Sequence, residues 1–302
     1  MIKNFLYNKK NNQLKWIHLV NPTPIEIKDI IYEYNIPSDY ISDVSDPYEL
    51  PRTEGLDDDD PNLFILNYPV KLEKMLYSTR AISIVILKDT IITAVNEASS
   101  SFENYLEELS GNFEKISDGV SILLEISWFI SKTFIEYSKT LNNEIRDLEI
   151  RIKKSTKTSL LYDMIDIQKS LINFESATSE NTPVIEDIFN LERFFNDKNK
   201  SLLKDLQIEN RQARIMIEKS TNYLENLSDL YSNVINNNLN ISMKVLTSVS
   251  IVMTVPTIIS GFWGMNTRLP ISDNPNAFYY LIILSLSLCF GIIYILRKHD
   301  YI

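Results

Sequence analysis

Histidine, cysteine and glycine are scarce in this sequence. Two histidines (His18 and His299) and one cysteine (Cys289) in 302 residues are too few for a Cys/His zinc site or a disulfide framework. A Ser-His-Asp or Cys-His unit would need one of those two histidines, and neither has promising neighbours in the chain. Six glycines leave no glycine-rich phosphate loop. Basic residues are also outnumbered: 30 Lys and Arg stand against 40 Asp and Glu, for a net charge of −10. That balance argues against a nucleic-acid partner, which needs clustered Lys and Arg, and suits a protein whose acidic surfaces bind cations. Metal chemistry would have to use oxygen ligands, which favour hard divalent ions. No nucleophile, base and cofactor constellation is present, so neither an enzyme nor a bound cofactor is expected.

The start, Met1 to Lys10, is too short and too polar for the apolar region of a signal peptide, which predicts a cytosolic N-terminal portion. Residues 64–68, 81–87 and 90–95 are rich in β-branched side chains and predict strands, with Lys88-Asp89 as a hairpin turn. Pro22-Thr23-Pro24 followed by Ile25-Glu26-Ile27 predicts a helix start. After about residue 99 the apolar period becomes helical. Leu123, Ile126, Ile130, Phe134, Tyr137 and Leu141 recur at steps of three and four, continuing to Leu148 and Ile152. A second helix is predicted from about Leu160 to Phe174, and a third, short one after Pro183.

From Leu203 a heptad-like seam runs through Leu206, Asn210, Ala213, Ile217, Ser220, Leu224, Leu227, Tyr231, Val234, Asn238 and Ile241 to Val245. A soluble antiparallel bundle would carry the same seam. This one, however, continues straight into Val245–Trp263, an uncharged segment about 28 Å long as a helix. Ala277–Leu296 is a second uncharged apolar run. Two such segments in series predict two membrane helices. Lys244 precedes the first, Arg297 and Lys298 follow the second, and Arg268 alone lies between them. That balance places both termini in the cytoplasm.

The first span is polar along one face. Asn240, Met243, Thr247, Ser250, Thr254, Thr257 and Gly261 again alternate steps of three and four. Such a stripe either packs helices together or lines a water-filled path; several copies around an axis would do both. Pro256 removes one backbone hydrogen bond inside the span.

At the outer end stands Gly261-Phe262-Trp263-Gly264-Met265-Asn266. Gly264-Met265-Asn266 resembles the GMN motif that closes the first membrane helix of CorA-type magnesium transporters. Pro256-Thr257 before it, Met243-Lys244-Val245-Leu246-Thr247 at the start of the span, and the short loop plus one final span after it are also similar to that family. The resemblance covers the whole architecture. It implies an α+β membrane protein with a cytosolic α/β domain (1–115), a cytosolic helical region (116–200) and a stalk helix (201–244). A first span with the motif (245–266), an external loop (267–276), a second span (277–296) and a cytosolic tail (297–302) follow. The stalk continues into the first span, and the assembly is a homopentamer in the inner (plasma) membrane. Its cargo would be Mg²⁺, with Co²⁺ and Ni²⁺ as further ions.

By the same resemblance Gly264, Met265 and Asn266 form the selectivity filter, with Asn266 offering a ring of amide oxygens to the hydrated ion. Mg²⁺ sheds water reluctantly, so neutral oxygens can hold its hydration shell, whereas a charged ring would hold the ion too tightly. Asn240, Met243, Leu246 and Thr257 fall at pore-lining positions; Thr247, Ser250, Thr254 and Gly261 share the polar face. Thr267-Arg268-Leu269-Pro270, with Asp273 later, departs from the family's acidic outer loop and leaves attraction of cations at that spot unexplained. Inhibitory internal Mg²⁺ would be held between subunits by carboxylates. Asp205 and Asp229 on the stalk, and Asp43 and Asp46 ahead of Pro51-Arg52-Thr53-Glu54, are the candidates. Each also reads as a solvated surface charge, as does Asp57–Asp60 more strongly. A zinc-transporting relative and a non-conducting, membrane-tethered oligomeric sensor are the alternatives.

Overall fold

The computed structural model describes residues 2–9, 12–56, 61–97, 99–111, 116, 118–155, 157–191, 197–265, 270, 274–299 and 301. It divides into two compact units, Met1–Ser228 and Asp229–Ile302.

The first unit is built on a six-stranded sheet: β1 (Ile2–Lys9), β2 (Asn12–Val20), β3 (Arg52–Glu54), β4 (Asn62–Lys71), β5 (Tyr77–Ile86) and β6 (Thr90–Val95), in the order β1-β2-β6-β5-β4-β3. Among the described strand pairs only β2 and β6 run parallel, with Trp16 opposite Ile91 and His18 opposite Thr93. The Lys88-Asp89 turn closes with the Leu87 N–H donating to the Thr90 carbonyl at 2.8 Å. The three predicted strands are β4, β5 and β6; β1–β3 come from segments that carried no strand prediction.

Alternation sorts the side chains onto two faces. Ile17, Leu19, Leu63, Ile65, Val85 and Ile92 share a core with Ile30, Ile36 and Ile41, contributed by α1 (Pro24–Tyr34), α2 (Asp39–Ser42) and the residues between them. The predicted start of α1 is a capping box: the Thr23 side chain accepts from the Glu26 N–H, and the Glu26 carboxylate accepts from the Thr23 N–H at 2.8 Å. On the opposite face Tyr68 stacks on Phe102 of α3 (Ser100–Ser110), ring centroids 4.5 Å apart. Trp16 Nε1 donates to Thr93 Oγ1 at 2.9 Å. His18, fully buried, bonds Thr93 Oγ1 through Nδ1 at 2.8 Å and the Glu103 carboxylate through Nε2 at 2.9 Å. Lys3 closes the group on Glu103 at 2.7 Å.

The same face carries α4 (Gly119–Lys154) and α5 (Thr158–Asn190). Here the chain departs from the sequence reading. The expected break between a helix ending near Phe174 and another after Pro183 does not exist; α5 runs through Pro183 without interruption. Proline normally disrupts a helix interior by more than ~3 kcal/mol, so packing must offset it. Buried Asn181, two residues earlier, accepts from the Asn67 N–H and donates to the Asn67 carbonyl, both at 2.8 Å. Ser170 accepts from the Tyr77 N–H at 2.8 Å and donates to the Met75 carbonyl. These polar contacts hold α5 to β4 and β5 before the expected break and within it.

α6 is one helix from Asp197 to Trp263. Its seam residues Leu203, Leu206, Asn210, Ala213, Ile217, Ser220, Leu224, Leu227 and Tyr231 are all buried. The seam then opens: Ile241 is 51% and Val245 45% exposed. α7 (Ala277–Lys298) follows.

Candidate functional site

Both C-terminal helices are long and apolar enough to cross a membrane. Within the most hydrophobic stretch of α6 only 6% of residues are buried, and within that of α7 none. In water this exposure would be strongly unfavourable at ~25 cal/mol per Å² of apolar surface; in hydrocarbon it carries no such cost, because lipid tails are as apolar as Leu.

The polar stripe lies on the part of α6 within the second unit. Asn240, Met243, Leu246, Thr247, Ser250, Thr254, Thr257 and Gly261 are all exposed, so a single chain covers none of them. Ser250, Thr254 and Thr257 donate to the carbonyls of Leu246 (2.9 Å), Ser250 (2.7 Å) and Met253 (3.0 Å). This back-bonding satisfies each hydroxyl proton inside the helix and leaves oxygen lone pairs on the open face. Such a surface presents acceptors without fixed charge.

Pro256 has no N–H, which frees the carbonyl of Val252 one turn earlier. Cys289 of α7 meets that oxygen, with Sγ donating at 3.6 Å. The lone cysteine, unassigned in the sequence, thus supplies the donor that Pro256 lacks. Eight residues before Pro256, Ser248 is fully buried and its hydroxyl has no partner among the described residues. Lys244 lies 5.6 Å from the ring centroid of Tyr301.

The helix tightens at its C-terminal end. The Gly264 N–H donates to the Ser260 carbonyl at 2.9 Å, and the Met265 N–H to that of Phe262 at 3.3 Å, a 3₁₀-like last turn. Gly55 is the only glycine with positive φ among the described residues. A Cβ added at Gly264 would meet the Ser260 oxygen at an ordinary 3.4 Å. The turn at Gly264 therefore needs no left-handed backbone within one chain. Met265 is 53% exposed. Asn266, with Thr267, Arg268, Leu269 and Asp273, lies outside the described residues.

The four carboxylate candidates stand apart in character. Asp205 and Asp229 are exposed. The Asp43 carboxylate accepts from the Arg52 guanidinium at 2.9 Å, and the same guanidinium pairs with Glu49 and, at 2.6 Å, with Glu54. Asp46 caps the Tyr48 N–H at 2.8 Å. Among the described residues no three metal-ligating carboxylates or imidazoles converge within one chain.

The family described as CorA-like Mg²⁺ transporter protein matches residues 11–298. The chain belongs to the CorA family. A curated relative, the cobalt/magnesium transport protein CorA of Methanocaldococcus jannaschii, is 23% identical over 298 residues, 96% of this chain and 92% of its own length. The magnesium transport protein CorA of Helicobacter pylori is 21% identical over 305 residues, 97% and 92% of the two lengths. The complete structure of the M. jannaschii CorA magnesium transporter superposes with a TM-score of 0.83, covering 98% of this chain and 94% of that one. The CorA architecture of an N-terminal α/β unit, a long helix and two C-terminal apolar helices is therefore shared from end to end.

Proposed function

We propose that this CorA-family chain is a channel for Mg²⁺, admitting Co²⁺ and Ni²⁺, that assembles as a homopentamer with the α6 stripe around its axis. The observation that carries the reading is the uncovered line of back-bonded hydroxyls from Ser250 to Thr257 on an uncharged stretch of α6. A polar face in a bilayer needs protein or water beside it; copies packed around an axis supply both. Neutral acceptors suit an ion that keeps its water shell. Gly264, Met265 and Asn266 form the filter at the outer mouth, and Asn240, Met243 and Leu246 line the inner end.

The driving force is the membrane potential, roughly 2.3 kcal/mol per charge per 100 mV, so inward flow of a divalent ion needs no other energy source. Both termini lie in the cytoplasm of a plasma-membrane protein. Regulation acts through carboxylates brought together only by neighbouring copies, because no chain holds a complete ligand set among its described residues. Exposed Asp205 and Asp229 are free to take that part; Asp43 must first leave Arg52.

The test is Mg²⁺ uptake into liposomes containing the purified protein, with Co²⁺, Ni²⁺ and Zn²⁺ as competitors. Potential-dependent Mg²⁺ entry supports the channel. Entry of Zn²⁺ in preference to Mg²⁺ moves the chain to a zinc-transporting role. Absence of any divalent flux makes it a membrane-tethered sensor.

A further inference from the structure

In a chain with ten more acidic than basic residues, the charged side chains lining one groove of the Met1–Ser228 unit are all cations. Lys139 and Arg146, two turns apart on α4, face Arg211 and Lys219, eight residues apart on α6, around a volume of about 860 Å³. Among the described residues no carboxylate lines it, and none of the four cations has an ion-pair partner. Glu149, at one end, is already engaged by the Tyr223 hydroxyl and by Lys153 at 2.7 Å. Glu175 and Glu218 line the adjoining groove on the far side of Arg211. Four gathered positive charges repel one another, and a bound anion removes that repulsion.

The lining also limits the kind of anion. Asn142, Asn143 and Gln212 add neutral amides between the cations. Ile215, 40% exposed, and half-buried Met216 form an apolar floor. The Tyr223 ring stands beside them, oriented by its hydrogen bond to Glu149. A simple phosphate would use the guanidinium and ammonium groups but leave this floor wet. The volume lies within the ~300–1,000 Å³ usual for small-molecule sites.

We propose that this groove binds a nucleoside triphosphate, its phosphates on Lys139, Arg146, Arg211 and Lys219 and its ring on Ile215, Met216 and Tyr223. Arginine forks match phosphate oxygens in pairs. Chelation by Mg²⁺ cancels part of the triphosphate charge, so the uncomplexed anion is the better match to four cations. The site stands independently of the transport reading.

The experiment is calorimetric titration of the full-length protein in detergent with ATP, in EDTA and about 0.1 M salt, where surface charges still act over roughly 10 Å. Saturable binding is expected, weakened about tenfold or more in Arg211→Gln/Lys219→Gln by loss of charge-assisted bonds. That double variant keeps its circular dichroism, because both side chains are exposed. Tripolyphosphate and ATP with saturating Mg²⁺ are both expected to bind more weakly than free ATP. Tripolyphosphate binding as tightly as ATP would overturn the nucleoside assignment, and equal affinity for the Mg²⁺ complex would overturn the charge match. No saturable binding, or binding unchanged in the double variant, would sink the site. If ATP fails to bind and the double variant dissociates the oligomer, the groove is a contact between copies instead.

Discussion

Met1–Ser228 and Asp229–Ile302 treat apolar side chains in opposite ways. In the first unit Trp16, Phe64, Phe134 and Phe174 are almost wholly buried. In the second, Phe278, Phe290 and Tyr294 are each about 70% exposed. The α6 seam shows the change within a single helix: apolar and buried at Leu227 and Tyr231, apolar and exposed at Ile241 and Val245. One periodicity therefore serves two solvents. Where a helix partner exists in the same chain, the seam closes on it. Where none exists, the exposed apolar residues need lipid or further copies, and Ser250, Thr254 and Thr257 carry hydroxyls whose protons are already spent on the backbone.

The largest expected effect tests what the second unit does. Asn266→Ala should lower Mg²⁺ flux into liposomes at least about tenfold, a loss of some 1.4 kcal/mol in the transport barrier, while the oligomer still elutes intact. Wild-type flux in that variant would remove Asn266 from the filter and return the stripe to a packing role.

A paired substitution sharpens the contrast in burial. Phe174 is fully buried, with ring centroids 5.2 Å from Phe134 and 5.7 Å from Tyr77. Phe174→Ala should cost about 3–5 kcal/mol, as large-to-small core substitutions do, measured by denaturant unfolding of a chain ending at Ser228. Phe290, 70% exposed, should cost less than ~1 kcal/mol on replacement by Ala, read as the thermal midpoint of the full chain in detergent. Equal effects would mean that Phe290 is packed by another copy.

How legible all this was depends on where the deciding partner sits. The two apolar helices, the seam and the hydroxyl-bearing face follow from periodicity in one segment, and they were readable. Strand β2 was not, because Trp16, His18 and Thr93 become compatible with a core only through one another: Trp16 and His18 both bond the Thr93 hydroxyl. Helix α5 crossing Pro183 was hidden for the same reason, since Asn181 finds its partners 114 residues away on β4. Among the four candidate carboxylates the sequence set Asp205 first, on its spacing from Gly264-Met265-Asn266. The fold separates them by giving Asp43 to Arg52 and Asp46 to a backbone N–H.

Glu103 provides a smaller effect, and it belongs to the first unit alone. Burial pushes its carboxyl up, but the hydrogen bonds from His18 and Lys3 outweigh this and bring it down to about 2 from 4.5. A depressed carboxyl stabilises the fold above its unfolded pKa, and the contribution disappears as pH falls through the folded one. The window is therefore from about pH 4.5 down to about pH 2, and the full difference is on the order of 3 kcal/mol. Glu103→Gln in the chain ending at Ser228 should flatten the decline in stability across that window. An unaltered pH profile would show that the charge on Glu103 is not felt in the fold.

The smallest effect concerns Asp205, in the first unit. Its carboxylate is exposed, so removing it should leave the fold and thermal midpoint of the first unit within ~0.5 kcal/mol of wild type. Its proposed part is played between copies, holding an internal Mg²⁺ that favours the closed channel. An ion shifts that population only by its differential affinity for the closed state. Asp205→Ala should then raise the Mg²⁺ concentration that protects the full-length oligomer from proteolysis by about fivefold, the low end of usual coupling between sites. Asp205→Lys should behave differently, because a tethered ammonium replaces the charge of the ion and maintains protection without Mg²⁺. Asp43→Ala offers the control: its carboxylate is already held by Arg52, so its removal should disturb that ion-pair node and leave the Mg²⁺ midpoint almost unmoved. Protection of Asp205→Ala at the wild-type Mg²⁺ concentration would make Asp205 a solvated charge, and a shift confined to Asp43→Ala would place the ion on the α/β face instead.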